Sequence, residues 1–367
     1  MPIPHVDVKA QYAPLLDELK ERLSAVLDSG RFILGPEVRA FEEEAARYLG
    51  VREAVGVANG TDALVLVLEA LGIGAGDEVV CPSFTFYATA EAVSRVGATP
   101  VFCEIEPGSL NLDPADVAGR VSERTKAILA VHLFGRPADL AALPAGVPVI
   151  EDAAQAFGAT VGEAKAGAVG VAGTFSFFPT KNLFGLGDGG LVTSNDPLLA
   201  DRIRVLRFHG SRDKERFDAI GMNSRLDEIQ AAALRLFLGH LDEWNAARRE
   251  AAARYAELGL GEVCELPADE PGHVYHMYVV RSPERDRIAA ALRTAEIGCA
   301  TYYTTPLHLQ PVYESLGYRP GSLPETERAG SETIALPLWA GISPAQQEEV
   351  VATIRAAVET GATSEVA

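Results

Sequence analysis

Short apolar runs alternate with helical segments from Glu53 to about Pro197, and this alternation constrains the fold more than any other feature of the chain. Strands joined through helical crossovers run parallel, so the pattern predicts an α/β fold with a mostly parallel sheet and helices on both faces. The last run follows its predecessor too closely for such a crossover and is expected to pair antiparallel. The strand-like runs are AVGVAN, DEVVCP, TPVFCEI, AILAVHLF, VPVIED, TFSFF and GGLVTS.

Two helices are predicted ahead of this region. Leucines recur at helical spacing from Leu15 to Leu27, and Gly30 stops the repeat. A second helix begins at Pro36, where the missing N–H of proline has no helical partner, and ends at Gly50. We assign both helices to the large domain.

The C-terminal third of the chain has a different pattern. A long helical stretch over residues 225–259 is expected to break near Gly239 and to connect two domains. Beyond it the pattern is α+β, with strands HVYHMYVVR and ATYY and a final helix from Ser343. Because 367 residues exceed what one core usually supports, we predict a large domain over residues 1–240 and a smaller domain over residues 241–367.

Charge and cysteine usage exclude several classes of protein. The formal net charge of -19, with no polybasic block, argues against binding to nucleic acid or to anionic membranes. No run reaches membrane-spanning length and the N-terminus carries no export signal, so we expect a cytoplasmic protein. The four cysteines lie far apart and show no metal-binding spacing, which predicts reduced thiols and no metal site.

Two strand-like runs carry polar side chains at their carboxyl ends, where open α/β sheets bind ligands. Asp152 follows VPVIE, with Gln155 three residues later; if buried and ionised, it needs a cationic partner such as a protonated pyridine nitrogen. A carboxylate that caps the next helix is the alternative. Lys181 follows SFFPT, where desolvation would lower the pKa of its amine and make it a nucleophile. Together they predict covalent chemistry on an aldehyde.

A phosphate site is predicted where the sequence NGTD joins a strand to a helix. Gly60 lets an anion approach the backbone, Thr61 offers a hydroxyl, and the helix N-terminus offers free N–H groups. Ser176 could add a second hydroxyl. The alternatives are an ordinary helix cap by Thr61 or Asp62 and a plain core serine. The glycine-rich segments GAVGVAG and GLGDGG lack the context of a dinucleotide fingerprint.

Aromatic, basic and histidine side chains supply three further candidates, each with a simpler alternative. An aromatic residue after DEVVCPS could stack on a planar cofactor ring or belong to the core. His308, in TTPLHLQPVY, could hydrogen bond or transfer a proton in the cleft, or lie at the surface. A basic cluster could bind an anionic substrate or form a solvated loop. The aromatic residues are Phe84, Phe86 and Tyr87, and the basic ones Arg207, His209, Arg212, Lys214 and Arg225.

Taken together, these segments resemble the sugar aminotransferases of the DegT/DnrJ/EryC1/StrS family, which are pyridoxal-phosphate (PLP) enzymes of fold type I. The similarity covers nearly the whole chain, and the ordered combination is far more specific than any one segment. The segments that carry it are ILGPEVRAFEEEAARYLG, NGTDAL, GDEVVCPSFTFYATA, EDAAQAFGA, FSFFPTKNLFGLGDGG, GMNSRLDEIQAA and PLHLQPVY.

The resemblance implies roles for individual residues. Lys181 matches the lysine that holds PLP covalently, Asp152 the partner of the pyridine nitrogen, and Gln155 the amide that faces the ring hydroxyl. Phe86 matches the aromatic residue that stacks on the ring. The residues that match phosphate binders are Gly60, Thr61 and Ser176.

Two more positions follow from the same resemblance. Asn223 matches a residue that reaches the phosphate from a neighbouring subunit, which implies a homodimer with shared active sites. His308 matches a position on the substrate side, where family members vary.

The implied reaction is ping-pong transfer of an amino group from an amino acid, usually glutamate, to a ketosugar attached to a nucleoside diphosphate. Lys181 would move the proton between the donor Cα and C4′ of the cofactor. A lysine here, where a subgroup of sugar dehydratases has histidine, favours amino transfer. The opening VDVKAQY favours a 3-keto substrate, such as a dTDP-3-keto-6-deoxyhexose. The alternatives are a 4-keto nucleotide sugar, a keto-cyclitol (inosose), and a non-enzymatic PLP-binding regulator.

Overall fold

The computed structural model describes residues 2–364 and contains a seven-stranded central sheet. Two small sheets, β6–β7 and β10–β11, have two strands each. The strands of all three sheets are β1 (Glu53–Val57), β2 (Glu78–Pro82), β3 (Thr99–Cys103), β4 (Thr125–Val131), β5 (Val149–Asp152), β6 (Thr160–Val161), β7 (Ala164–Lys165), β8 (Ala172–Ser176), β9 (Gly190–Ser194), β10 (Tyr278–Arg281) and β11 (Thr333–Leu336). The order in the central sheet is β1-β9-β8-β5-β4-β2-β3. Every neighbouring pair is parallel except the two that involve β9, so the expected α/β sheet is confirmed.

The helices cover the central sheet and build the smaller C-terminal part. They are α1 (Val8–Tyr12), α2 (Leu16–Ser29), α3 (Pro36–Leu49), α4 (Gly60–Ala70), α5 (Ala88–Arg95), α6 (Pro114–Arg120), α7 (Pro197–Leu206), α8 (Glu228–Leu238), α9 (Leu241–Glu257), α10 (Arg285–Thr294), α11 (Pro324–Glu332) and α12 (Pro344–Ser364). Across residues 2–364, none of them combines the length and the apolar character needed to cross a membrane.

The predicted helix boundaries agree closely with the structure in the N-terminal part. Gly30 follows α2 and Gly50 follows α3, and both have left-handed φ values, 62° and 74°, that favour glycine. The start of α3 is capped from a distant element, because the Glu228 carboxylate accepts hydrogen bonds from three backbone N–H groups there. This contact fixes the loop before α3 against α8.

Helix α9 joins the two halves of the chain. It begins at Leu241, directly after the break near Gly239 that the sequence predicts. Its first turns belong to the core of the large domain through Trp244, whereas Tyr255 packs in the core of the smaller unit around the antiparallel β10–β11 pair. Ile3 also packs in that smaller core. A boundary near residue 240 therefore stays our proposal, with the first residues of the chain attached to the smaller domain.

Two strand predictions in the C-terminal part are wrong in extent. Only Tyr278–Arg281 of HVYHMYVVR forms a strand, because the preceding residues bond to another loop: Val274 N–H donates to Gly135 and Met277 N–H to Phe134. ATYY forms no strand and makes only a single bridge, from Ala300 to Ala335. Apolar alternation in both runs reflects burial against the large domain rather than a longer ladder.

Candidate active site

The carboxyl ends of the parallel strands meet at one edge of the sheet and bring the predicted residues together. Gly60 begins the helix that follows β1, Phe86 lies in the loop after β2, and Asp152 ends β5. Lys181 lies in the connection between β8 and β9, residues 177–189, which is too short for a helical crossover. That short return explains both the antiparallel β9 and the position of the lysine at this edge.

Asp152 is buried, and both of its carboxylate oxygens accept hydrogen bonds. The Thr89 hydroxyl donates to one oxygen at 2.9 Å and the Ala154 N–H to the other at 3.2 Å. Burial raises the pKa of Asp152 above its ordinary value, although these bonds and the charge of Lys181 oppose the rise. A further cationic partner would stabilise the ionised form of a buried carboxylate whose pKa is raised in this way.

Lys181 is partly buried, and desolvation lowers the pKa of its amine to about 8, against a smaller raising effect of Asp152. Its backbone N–H donates to the Phe178 carbonyl at 2.9 Å, which closes a tight turn after β8. The expected desolvation is therefore present. A substantial fraction of the amine is unprotonated near neutral pH, as nucleophilic attack on an aldehyde requires.

The loop from β1 to α4 has the features of a phosphate cradle. Asn59, not Thr61 or Asp62, caps the helix, because its side chain accepts from Asp62 N–H at 2.8 Å. The Thr61 hydroxyl and the N–H groups of Gly60 and Thr61 make no hydrogen bond to any residue in the described range 2–364. A Cβ at Gly60 would lie 2.8 Å from Cβ of Ser176, so glycine keeps this space open.

Aromatic residues around the site divide into core and exposed rings. Phe84 is fully buried and packs edge-on against Phe134 and Tyr303. The side chain of Phe86 is 59% exposed and makes no ring contact with the described residues. Of the aromatic candidates, Phe86 is thus the ring that is free to stack on a ligand.

Gln155 is buried and oriented by two partners. Its side-chain oxygen accepts from Phe134 N–H at 2.6 Å, and its amide nitrogen donates to the Tyr303 hydroxyl at 3.3 Å. The amide nitrogen keeps a second hydrogen for a ligand. Tyr303 was missed in the sequence, where it belonged to the strand predicted over ATYY.

Two buried residues behind Asp152 were also missed. The Glu151 carboxylate accepts from the N–H groups of Gly167, Val169 and Gly170 and contacts His132 Nε2 at 2.8 Å. Ala138 N–H donates to the other ring nitrogen of His132, which leaves the Nε2 N–H to donate to Glu151. The segment GAVGVAG therefore binds a carboxylate of its own chain. This network holds the end of β5 rigid.

The structure gives His308 a different place from either sequence interpretation. It is 1% exposed, with Nδ1 at 2.7 Å from the Ser83 hydroxyl and Nε2 at 3.1 Å from the Glu327 carboxylate. Burial lowers the pKa of His308, with Glu327 opposing the shift. Because both ring nitrogens have protein partners, we correct the expected proton-transfer role: His308 ties the loop at 305–310 to the end of β2.

Two of the five residues in the predicted basic cluster form ion pairs. Arg207 is buried and contacts the Glu42 carboxylate at 2.6 Å, and Arg212 pairs with Asp201 at the surface. The buried Arg207 is therefore not accessible to an anionic substrate, whereas an anionic ligand for the exposed Arg212 stays a prediction. Asn223 is exposed, and its side chain makes no hydrogen bond within the described chain. Residues 2–364 contain no His, Cys, Asp or Glu cluster suited to a metal.

Comparisons with known proteins agree with this geometry. The model of the DegT/DnrJ/EryC1/StrS aminotransferase family matches residues 15–355. The chain belongs to this family. A solved structure of DesV from S. venezuelae, in complex with a reaction intermediate, superposes with a TM-score of 0.94 at 43% identity and covers 98% of this chain and 99% of its own. The predicted family, α/β fold and enzymatic function are therefore confirmed.

Two curated relatives illustrate the range of the family. The dTDP-3-amino-3,4,6-trideoxy-alpha-D-glucose transaminase of Streptomyces venezuelae is 43% identical, covering 96% of this chain and 95% of its own. A UDP-N-acetyl-3-dehydro-alpha-D-glucosamine 3-aminotransferase of Acidithiobacillus ferrooxidans is also 43% identical, covering 96% of each chain. This chain is an aminotransferase, and its cofactor is PLP, as the sequence predicted.

The residues at the strand ends fit this cofactor. Gly60 lies against Ser176, and the Gly60 and Thr61 N–H groups and the Thr61 hydroxyl have no partner among the described residues, which suits a phosphate. The buried Asp152 suits a protonated pyridine nitrogen, and the amine of Lys181 suits an aldehyde carbon.

Proposed function

We propose that this enzyme transfers an amino group from glutamate to a nucleotide-linked 3-ketosugar, with a dTDP-3-keto-6-deoxyhexose as the preferred acceptor. The observation that carries amino transfer is that one edge of the sheet holds both Lys181, whose amine has a lowered pKa, and the buried Asp152 carboxylate that the Thr89 hydroxyl binds. Two relatives at 43% identity support the acceptor class, because both of their names place the amino group at C3 of a nucleotide sugar.

When bound, PLP supplies an electron sink for the carbanion formed at the donor Cα. Asp152 holds a proton at the pyridine nitrogen, and the Thr89 hydroxyl orients that carboxylate. Gln155 would offer its remaining amide hydrogen to the ring hydroxyl, and Phe86 would cover one face of the ring. The amine of Lys181 would hold the cofactor and act as the base that moves the donor's proton, as a group with a pKa of about 8 can do at neutral pH.

A substrate panel tests the acceptor. The purified enzyme, with glutamate as donor, is assayed with a dTDP-3-ketosugar, the matched dTDP-4-ketosugar, a UDP-3-ketosugar and free inososes. We expect kcat/KM for the dTDP-3-ketosugar to exceed that for the 4-keto isomer by about 100-fold or more, since misplacing the reacting carbon forfeits orientation. Higher kcat/KM with the 4-keto sugar or with an inosose would establish that alternative instead.

The donor is tested separately from the acceptor. Glutamate alone should convert the bound cofactor to its amine form, with loss of the absorbance of the lysine-bound species, whereas alanine and aspartate serve as comparison donors. If glutamate produces no change and another amino acid does, the donor assignment fails while amino transfer stands.

We further propose a homodimer in which Asn223 reaches the phosphate site of the partner subunit. The support for this proposal is the exposure of apolar side chains. Ile220 is 97% exposed and Phe32 is 44% exposed. The Phe32 carbonyl accepts a hydrogen bond from Glu228 N–H, which places Phe32 beside the start of α8. Exposed apolar side chains next to an unpartnered Asn223 suit burial against a second copy. We also propose a cytoplasmic location, since all four cysteines are unpaired.

Subunit complementation tests the shared site. Asn223→Ala should weaken PLP retention about tenfold or more, as for loss of a hydrogen bond to a charged group. A heterodimer of Asn223→Ala with Lys181→Ala has one intact site only if Asn223 acts in the partner, so at limiting PLP it should regain about half of wild-type activity per dimer. The control partner is the Lys181→Ala/Asn223→Ala double variant, which offers no intact site. Equal activity with both partners would show that Asn223 acts within its own subunit.

A further inference from the structure

His276 is a buried polar residue whose hydrogen bonds are incomplete. Its side chain is 2% exposed, and neither ring nitrogen has a hydrogen-bond partner in the part of the chain that the structure describes. Buried polar atoms in folded proteins nearly always have partners, because leaving one without any costs about 1–3 kcal/mol. The imidazole of His276 therefore needs a hydrogen-bonding partner that the described residues do not supply.

The backbone places His276 beside the residues that carry the chemistry. A Cβ added at Gly135 would lie 2.8 Å from His276 N and 3.1 Å from the Gln155 carbonyl oxygen, so these three backbones pack together. On the other side, the Asn182 amide donates to the Val274 carbonyl at 2.9 Å. The segment that contains His276 thus runs between Gln155 and the residue that follows Lys181.

The same segment is held tightly in an unfavourable conformation. Tyr275 has a φ of 43°, in the left-handed region that aromatic residues rarely adopt. The fully buried Arg248 guanidinium donates to the carbonyls of Tyr275, His276 and Leu338 at 3.3–3.4 Å. Local strain maintained by several contacts is typical of functional sites. The side chain of Asn182 adds another unpartnered atom nearby, its Oδ1.

The surrounding charges determine the protonation state of His276. Burial lowers its pKa well below the ordinary value, and the positive charges of Lys181, Arg248 and His5 lower it further. The charge of Asp152 acts on Lys181 in the opposite direction. A neutral imidazole keeps one ring nitrogen as a hydrogen-bond acceptor, and the nearby cation whose side chain makes no hydrogen bond to a described residue is Lys181.

We propose that His276 is a positioning residue for Lys181: its unprotonated ring nitrogen accepts a hydrogen bond from a water that is bound in turn by Nζ of Lys181, and this bridge aims the free amine. With one N–H bound in this way, the lone pair of the amine points towards the cleft for attack on the aldehyde or for proton transfer. The inference rests on the proposed role of Lys181 but on no assumption about the donor or the sugar.

Capture of PLP by the full-length, PLP-free protein tests this inference. The measured quantity is the rate at which PLP becomes fixed to the protein by borohydride reduction, as a function of pH, for wild type, His276→Gln and His276→Leu. For wild type the rate should rise with a midpoint near pH 8, where the amine of Lys181 loses its proton. Glutamine, which can also accept a hydrogen bond, should retain the rate within about twofold.

Leucine removes the acceptor while keeping an apolar side chain of similar size. We expect His276→Leu to capture PLP about fivefold more slowly at its plateau, the fold-change of a lost hydrogen bond between neutral groups. Its midpoint should also move to lower pH, because the ammonium form loses its acceptor. A purely structural histidine would leave both quantities unchanged in a folded leucine variant, and that result would overturn the inference.

A second measurement on the wild-type chain covers the case in which His276→Leu does not fold. In protein with ¹⁵N-labelled histidines, the His276 resonances, assigned by their absence from His276→Gln, should shift when PLP binds to Lys181, and unchanged resonances would overturn the inference. A different result would show that the proposed role of Lys181 is wrong. In that case Lys181→Ala would fix PLP as fast as wild type, whatever residue stands at position 276.

Discussion

Replacing Lys181 with alanine is expected to lower the rate of amino transfer by about 10⁴-fold, the upper end of the range for a positioned proton-transfer group. The loss is large because one amine both holds the cofactor covalently and moves the proton. Turnover with saturating glutamate and ketosugar measures the loss of amino transfer. The absorbance of the lysine-bound cofactor, which should vanish, measures the loss of the covalent bond.

Lys165→Ala is the matched control for this experiment. Lys165 is also partly buried, but its ammonium donates to the Gly158 carbonyl at 3.2 Å and lies 5.0 Å from the centre of the Tyr48 ring. Since it makes only these structural contacts, its replacement should leave turnover within about twofold of wild type. Comparable turnover in Lys181→Ala and Lys165→Ala would refute the assignment of the catalytic lysine.

Asp152→Asn is expected to have opposite effects on activity and stability. Asparagine keeps the shape and can still accept from the Thr89 hydroxyl, but it carries no charge to hold a proton at the pyridine nitrogen. We expect amino transfer to slow by about 10²–10³-fold, as for loss of a preorganised electrostatic partner. The measurement is kcat for the first half-reaction, followed by cofactor absorbance.

The stability effect follows from the pKa of Asp152. Burial raises this pKa in the folded protein above its unfolded value, so the folded state binds more protons and stability falls as pH rises through this range. The cost grows as pH rises through the raised pKa and disappears in acid, where both states are protonated. PLP-free Asp152→Asn should therefore unfold at a higher temperature than wild type at pH 7, and the difference should shrink as pH falls.

Asp201→Asn supplies the control of opposite sign. The ion pair with Arg212 lowers the pKa of this exposed carboxyl, so its charge stabilises the protein slightly at neutral pH. Its loss should lower the unfolding temperature slightly and leave kcat unchanged. If Asp152→Asn proves less stable than wild type at pH 7 while remaining folded, the buried carboxylate is compensated and our account of its pKa is wrong.

Sequence patterns predicted the large domain better than the smaller one. The α/β alternation, the antiparallel GGLVTS strand and the helix ends at Gly30 and Gly50 depend on local spacing and on backbone freedom, which the sequence states directly. HVYHMYVVR and ATYY were over-extended as strands because their apolar residues face the large domain. Which surface an apolar run covers is a tertiary property, and local periodicity does not reveal it.

The residues of the candidate site also divide into those that local sequence predicted and those that only tertiary contacts revealed. Lys181, Asp152 and Gly60 follow strand ends, so the rule for ligand binding in α/β sheets was enough to bring them together. Thr89, Tyr303 and Glu151 act through hydrogen bonds to residues far away in the chain, and no local pattern marked them. His308 and Arg207 were misjudged because their partners, Glu327 and Glu42, come from other elements of the fold.

The sequence by itself determined the fold class and the family, and it supplied the residues that we propose to meet PLP, because strand ends and glycine turns fix position within a parallel sheet. Only the tertiary structure decided how those residues are charged and which others support them. Protonation depends on burial and on neighbouring charges from the whole fold, as the lowered pKa of Lys181 and the raised pKa of Asp152 show. His276 is the clearest case, since only its packing shows that a buried imidazole beside Lys181 has no partner among the described residues.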